Sequence, residues 1–253
     1  MYLIITASSD AYIQNKIIDS SYRTTDANTG LAATLDLFKL YGETSLPSSE
    51  TAVTAFALDN DSDGTPETAI ELSRIFVKFD YDKLQRQSLK NMDVRSNKFK
   101  AYLTLKSVSA GQFTPKDFTV DVFPLAQAFD EGVGKDTISF KDLDGTNFVT
   151  ASVSGATVNS WNTLGAGALG PVGGNNLDAY STGNFGLGVT SIKGSQTFVD
   201  GGEDLRVDVT HLVSASLTNQ LTNHGFRISF TQSEETDART RFVKRFASRP
   251  VSY

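Results

Sequence analysis

Apolar and polar residues alternate with a period of two along several short segments of the chain. Successive side chains of a strand point to opposite faces, so the pattern predicts strands with one core face and one wetter face. In the clearest case, Ile75 and Val77 are predicted to face the core, opposite to Arg74. The predicted strands are Thr34–Tyr41, Thr51–Ala57, Arg74–Asp80, Ala101–Leu105, Phe118–Val122 and Phe226–Phe230.

Helical signals are few and short. Asp82–Lys90 and Asp208–Ser216 each predict only one or two turns. Between residues 155 and 201, frequent glycines interrupt regular elements and predict a long contact loop laid over the strands. The sequence therefore predicts an all-β fold, a jelly-roll-like antiparallel β-sandwich with a long glycine-rich loop region, as a single domain over 1–253.

Composition agrees with a β core and limits the kinds of site that the chain can form. Hydrophobic residues make up 39% of the chain and include 17 Phe and 8 Tyr, which suit pleated, half-buried surfaces. The chain has no cysteine, which excludes disulfides and thiolate-bound metals. We find neither a signal peptide nor an apolar stretch long enough for a membrane helix, so no membrane partner is expected.

The charge is unevenly distributed. The formal net charge is −6, which argues against nucleic acid as a partner. Five basic residues and no acidic ones lie between residues 239 and 249, so the remainder carries 18 basic and 29 acidic residues. This basic strand either docks on an acidic neighbouring surface or is a solvated edge strand protected by charge. The candidate interface residues are Arg239, Arg241, Lys244, Arg245 and Arg249.

An acidic motif in the first third of the chain is the sharpest local signal. Asp59, Asp61 and Asp63 alternate and are followed by Gly64 and then Glu67, a pattern that suits a Ca²⁺ loop. The match to an EF-hand is incomplete, because the twelfth position counted from Asp59 is an isoleucine. An acidic, solvated turn is the other interpretation, since Asp, Asn and Gly are also common turn residues.

The sequence offers no recognisable catalytic constellation, and we predict that the protein is not an enzyme. The two histidines, His211 and His224, lie in different elements and match no zinc spacing. Adjacent acids on a strand face opposite sides and cannot bracket a glycosidic bond by themselves. Trp161, Tyr180 and Phe185 could form a sugar-stacking platform, although Trp161 fits a core position better.

The order of several segments resembles DNRLRE-type β-sandwiches, which are jelly-roll relatives of carbohydrate-binding modules. This resemblance covers most of the chain and implies architecture, while no residue contacts for a ligand carry over from it. The segments are Asp10–Ile13, Arg74–Asp80, Ala101–Leu105, Phe129–Gly132, Trp161–Asn162 and Asn223–Phe230.

Longer strings resemble virion structural proteins of tailed bacteriophages. Members of that group look like tail or neck components, and some continue past the basic strand into a further domain that the present chain is not expected to contain. The resemblance implies assembly with other virion proteins and with copies of the chain itself. The strings are Ser8–Ile18, Thr25–Gly30, Leu35–Gly42, Phe123–Gly132 and Thr240–Ser248.

Two functional hypotheses follow from the sequence. The first is a structural component of a tailed-phage virion, in the tail, neck or baseplate region, made in the host cytoplasm and located in the virion. The alternative is a carbohydrate-binding module that recognises a host-surface glycan. Calcium is the one cofactor that the sequence suggests, and the ligand-binding residues of the alternative are not identified.

Overall fold

The computed structural model describes residues 3–81, 92–109, 114–135, 145–185 and 191–249. Strands account for 38% of this part of the chain and helices for 6%. The prediction of an all-β, jelly-roll-like antiparallel sandwich is therefore confirmed. Its segments pair mainly as antiparallel neighbours, and the single described exception is the short parallel pair formed by residues 169–171 and 179–182.

The strands are short, except for one that crosses the molecule. The described elements are β1 (Ser9–Gln14), β2 (Ile17–Ile18), β3 (Tyr22–Arg23), β4 (Thr34–Tyr41), β5 (Ala57–Leu58), β6 (Thr68–Lys78), β7 (Tyr102–Leu105), β8 (Phe118–Pro124), β9 (Thr150–Ser154), β10 (Thr157–Ser160), β11 (Leu169–Pro171), β12 (Ala179–Thr182), β13 (Gly194–Phe198), β14 (Leu205–Asp208), α1 (Thr210–Leu217), β15 (Phe226–Phe230), α2 (Gln232–Thr236) and β16 (Arg241–Ala247).

Strand β6 joins the two halves of the main sheet. Its first half pairs with β5 and β4, and its second half pairs with β1 and β15. The strand order β13-β8-β15-β6-β4-β16 therefore bends around β6, and the sheet curls on itself. The two-stranded ribbon β7-β14 lies next to the outer edge of β16, at one end of this curled sheet. The residues after β7 bond to that edge, where the Val108 N–H donates to the Arg245 carbonyl at 3.0 Å.

The curled sheet has apolar side chains on both faces. An inner core contains Ile75 and Val77 of β6 together with residues of β7, β8, β14 and α1. A second, outer core contains Phe76 of β6 and Trp161, which comes from the glycine-rich region. All of β6 except Lys78 is buried as a result, and the predicted wetter face of this strand is wrong. The cause is the covering layer, which local alternation cannot reveal.

The individual element predictions can be compared with these bounds. Thr34–Tyr41 is a strand with the predicted limits, and the predicted helical turn after Asp208 is helix α1. The prediction of a strand over Thr51–Ala57 is wrong, because only its last residue joins β5 and the preceding residues form turns and an isolated bridge. The predicted turn Asp82–Lys90 lies outside the described residues.

Candidate functional site

Four carboxylates of the loop between β5 and β6 lie close together. One oxygen from each of Asp59, Asp61, Asp63 and Glu67 falls within 4.8 Å of the others. Oxygens that share a Ca²⁺ ion at about 2.4 Å are at most about 4.8 Å apart, so these side chains fit the ion. The calcium site stays a prediction, since exposed acidic groups also cluster without a metal.

The same loop is stabilised by its own hydrogen bonds. The Asp59 carboxylate accepts from the backbone N–H of Ser62 at 2.5 Å and from that of Gly64 at 2.8 Å. Glu67 Oε2 accepts from the N–H of Asn60 at 2.7 Å. The backbone bonds, first that from Gly64, lower the pKa of Asp59. Asp59 therefore caps the turn, as the interpretation as an acidic turn requires.

Two of the five predicted interface residues are buried in the chain's own fold. Arg241 donates to both carboxylate oxygens of Asp237, at 2.8 and 2.7 Å. The Lys244 ammonium, 1% exposed by residue, donates to Ser107 Oγ at 2.7 Å and to the Gly201 carbonyl at 2.7 Å. Burial lowers the pKa of Lys244. Both side chains hold β16 against its own sandwich.

The other three predicted interface residues differ in their surroundings. Arg245 pairs with Asp36 at 3.2 Å, and Arg249 pairs with the carboxylate of Glu131. Arg239 is exposed. The interface stays a prediction, and most of the charge that suggested it is compensated within the chain. The sequence did not reveal this for Arg245 and Arg249, because their acidic partners Asp36 and Glu131 are distant along the chain.

Asp178 organises the glycine-rich segment that covers the outer face of the sheet. Its carboxylate is fully buried and accepts from the N–H groups of Asn162, Thr163 and Ala168 at 2.7, 3.0 and 2.9 Å. The contact loop over residues 155–201 stays a prediction, since residues 186–190 lie outside the described part of the chain and β13 belongs to the main sheet. The expectation that glycines exclude regular elements there is wrong, since β10, β11, β12 and β13 fall within the segment.

The tryptophan of this segment belongs to the outer core. Trp161 is 5% exposed, its ring lies 5.1 Å from that of Phe76, and its Nε1–H donates to the Asn147 carbonyl at 3.0 Å. The core interpretation is confirmed, so Trp161 cannot stack on a sugar. Tyr180 and Phe185 are half-buried and pack against the inner core, on the other side of the sheet.

A buried asparagine joins two distant loops, and sequence reasoning missed it. Asn28 Nδ2 donates to the carbonyls of Glu131 and Thr146 at 2.8 and 2.7 Å, and Asn28 Oδ1 accepts from the N–H of Gly134 at 2.8 Å. A Cβ at Gly134 would lie 2.0 Å from the Asn28 carbonyl oxygen. The pair of glycines at 132 and 134 was a signal of close backbone approach that could have indicated this junction.

A buried ionic cluster on the outer face of the sheet was also missed. Arg74 of β6 and Arg227 of β15 lie near one carboxylate, that of Glu235 in α2. Burial would raise the pKa of Glu235, but the Arg74 guanidinium outweighs it and the pKa lies below its usual value. Burial, reinforced by Arg74, lowers the pKa of Arg227 to about 9. The cluster holds α2 and the carbonyls of Gly165 and Ala166 against the sheet.

Comparison of the chain with models of known protein families and with curated proteins finds no match. Within the described residues, no helix is both long and apolar enough to cross a membrane.

Proposed function

We propose that this protein is a structural component of a tailed-phage virion, in the tail, neck or baseplate region. In this proposal the chain is a non-enzymatic building block, made in the host cytoplasm and incorporated into the particle. Its partners are other virion proteins and further copies of itself, and neither nucleic acid nor a membrane is among them.

One observation carries the proposal: the strings that resemble phage virion proteins meet in space. Asp10, Asn28 and Glu131 come from three of these strings, and Arg249 directly follows a fourth. The N–H of Asp10 donates to Glu131 Oε1 at 2.8 Å, and the N–H of Arg249 donates to Asp10 Oδ2 at 2.6 Å. The resemblance therefore concerns one connected framework of the fold, which favours a shared architecture over chance likeness of separate segments.

The remaining string, Leu35–Gly42, belongs to the same framework. It contains all of β4 except Thr34, and Leu35 pairs with Phe246 of β16 in an antiparallel register. Strand β16 occupies one end of the main sheet order and exposes Phe242 by 55%. Together with the exposed Arg239, Phe242 gives this edge an apolar and a cationic contact that the fold does not use internally. An edge of this composition suits an acidic neighbour with an apolar recess.

The test of the assembly proposal uses substitutions that leave the internal ion pairs intact. Phe242→Ser and Arg239→Glu alter exposed side chains at the start of β16. Reversing the charge of Arg241 would instead break its buried pair with Asp237, so a folding defect could not be told from an assembly defect. Val53→Ser is the matched control, since Val53 is 48% exposed and lies outside both predicted contact regions. Chain content per purified particle is measured by mass spectrometry.

We expect the two edge variants to reduce the number of copies per particle while Val53→Ser leaves it unchanged. Normal occupancy with both edge variants would reject this edge as the interface. Location of the chain by electron microscopy of intact particles tests the virion assignment itself, and a particle lacking the chain would reject that assignment. A glycan array with the same protein tests the alternative of a carbohydrate-binding module.

A further inference from the structure

An open cleft lies beside strand β7 and helix α1. Its volume is about 720 Å³, within the range of about 300–1,000 Å³ typical of small-molecule pockets. The apolar part of its lining includes Phe79, Leu103, Val213 and Phe226, which form or contact the inner core. A ligand that replaces water on such a surface gains free energy from apolar burial.

A tyrosine of the cleft has a hydroxyl without a hydrogen-bond partner in the described part of the chain. Tyr81 is 8% exposed and lines the cleft, and burial raises its pKa above the ordinary value. Among the described residues, the side-chain atoms that are both fully enclosed and without a partner are Glu71 Oε1, Glu203 Oε2 and Arg227 Nε. The Tyr81 hydroxyl is not one of these enclosed atoms, in agreement with the place of Tyr81 in the lining of the cleft. Buried hydroxyls usually find a partner, and a ligand oxygen would supply one here.

The rim of the cleft is cationic, although the chain as a whole is acidic. Lys98, Lys100 and Arg206 line it together with one acid, Asp93. The Arg206 guanidinium lies 3.9 Å from the centroid of the Tyr102 ring, a cation–π contact that orients it. The net charge of the chain is −6, so this rim is a local reversal of sign that favours an anion.

We propose that this cleft binds a small amphipathic anion. Its apolar body lies against Phe79, Val213 and Phe226, an oxygen along that body accepts a hydrogen bond from the Tyr81 hydroxyl, and its acidic group lies at the cationic rim. Apolar burial supplies most of the affinity, while the rim and the hydroxyl determine orientation and the preference for an acid. The site is independent of the proposed assembly edge on β16.

The probe is 11-(dansylamino)undecanoic acid, which combines an apolar chain, sulfonamide oxygens and a carboxylate, and whose fluorescence increases in apolar surroundings. Its methyl ester is the matched ligand without charge. Three variants divide the site: Tyr81→Phe removes only the hydroxyl, the double variant Lys100→Gln and Arg206→Gln removes rim charge, and Val213→Trp fills the floor. Circular dichroism melting confirms that each variant is folded before titration.

We expect the acid to bind more tightly than the ester. Tyr81→Phe should weaken the acid about 3- to 10-fold, the size of one hydrogen bond, and the double rim variant should abolish the preference for the acid. Val213→Trp should abolish binding of both ligands. Absence of binding to the wild-type protein, equal affinity for acid and ester, or unchanged affinity in folded Val213→Trp would each overturn the proposal.

Discussion

The buried Arg74 guanidinium donates two hydrogen bonds to the carboxylate of Glu235. Arg74 Nε lies 2.9 Å from Glu235 Oε1, and Arg74 Nη2 lies 2.6 Å from Glu235 Oε2. Both side chains are 7% exposed. Arg227 Nη2 lies 3.9 Å from the same carboxylate, and the buried carboxylates of Asp178 and Asp121 also stabilise the charge of Arg227.

Removal of this anion should destabilise the fold strongly. Glu235→Gln keeps the size of the side chain but leaves the Arg74 guanidinium buried without its paired carboxylate and removes one of the anions near Arg227. We expect a loss of about 3–5 kcal/mol in the free energy of unfolding, measured by urea denaturation. The double variant Arg74→Met and Glu235→Leu should lose less than Glu235→Gln, because it removes a charge with its partner. A single variant within about 0.5 kcal/mol of wild type would contradict this account.

The junction at Asn28 leads to a second stability prediction. Asn28→Ala removes the bonds to the half-buried carbonyl of Glu131 and the buried carbonyl of Thr146, and it also removes the acceptor of the Gly134 N–H, so we expect a loss of about 3–5 kcal/mol. Gly134→Ala should also destabilise, because its Cβ would meet the Asn28 carbonyl oxygen at 2.0 Å. Gly202→Ala is the control, since nothing lies within 4 Å of its added Cβ. Equal melting temperatures for Gly134→Ala and Gly202→Ala would refute the close approach.

The sequence predicted the fold better than it predicted the surroundings of single residues. Period-two alternation identifies strands from neighbours along the chain, and β4 was predicted with its exact limits for that reason. The same alternation places Arg74 on the solvent-exposed face of β6. Its partner Glu235 is 161 residues away, so no local pattern could show that both are buried.

The predicted sites illustrate the same limit. Asp59 and its neighbouring acids lie within one short loop, so their spacing alone predicted that the carboxylates converge. The basic strand is different, because the acids that compensate Arg245 and Arg249 lie in β4 and in the loop around Glu131. Charge counted along the sequence indicated a docking surface, whereas charge in the folded protein leaves mainly Arg239 at this edge.

Asp10 predicts a specific dependence of stability on pH. Burial, with a smaller contribution from Glu131, raises the pKa of Asp10 to about 6, against the opposing N–H bond from Arg249. The folded state therefore binds a proton that the unfolded state releases near pH 4, so this contribution to stability is full below pH 4 and is lost as the pH rises through about 6.

Asp10→Asn should remove the loss of stability at high pH, because asparagine does not ionise. The amide oxygen of the asparagine still accepts a hydrogen bond from the Arg249 N–H. With allowance for solvent screening, we expect the variant to exceed wild type by about 1–2 kcal/mol at pH 8 and to match it near pH 4. Urea denaturation across this pH range measures the difference. If the free energies of unfolding of the two proteins depended on pH in the same way, burial would not raise the pKa of Asp10, and this account would be wrong.

Substitutions in the acidic loop from Asp59 to Glu67 can distinguish a capped turn from a calcium site. Asp59→Ala removes the acceptor for the N–H groups of Ser62 and Gly64, so it should lower the melting temperature with or without calcium. The double variant Asp61→Asn and Asp63→Asn removes two predicted ligands but keeps the Asp59 cap.

If the loop binds calcium, the wild-type protein should melt at a higher temperature with calcium than with a chelator, because the ion binds the folded loop preferentially. The double variant should lose this increase. A wild-type melting temperature that calcium does not change, measured by scanning calorimetry, would reject the metal site and leave Asp59 as the cap of an acidic turn.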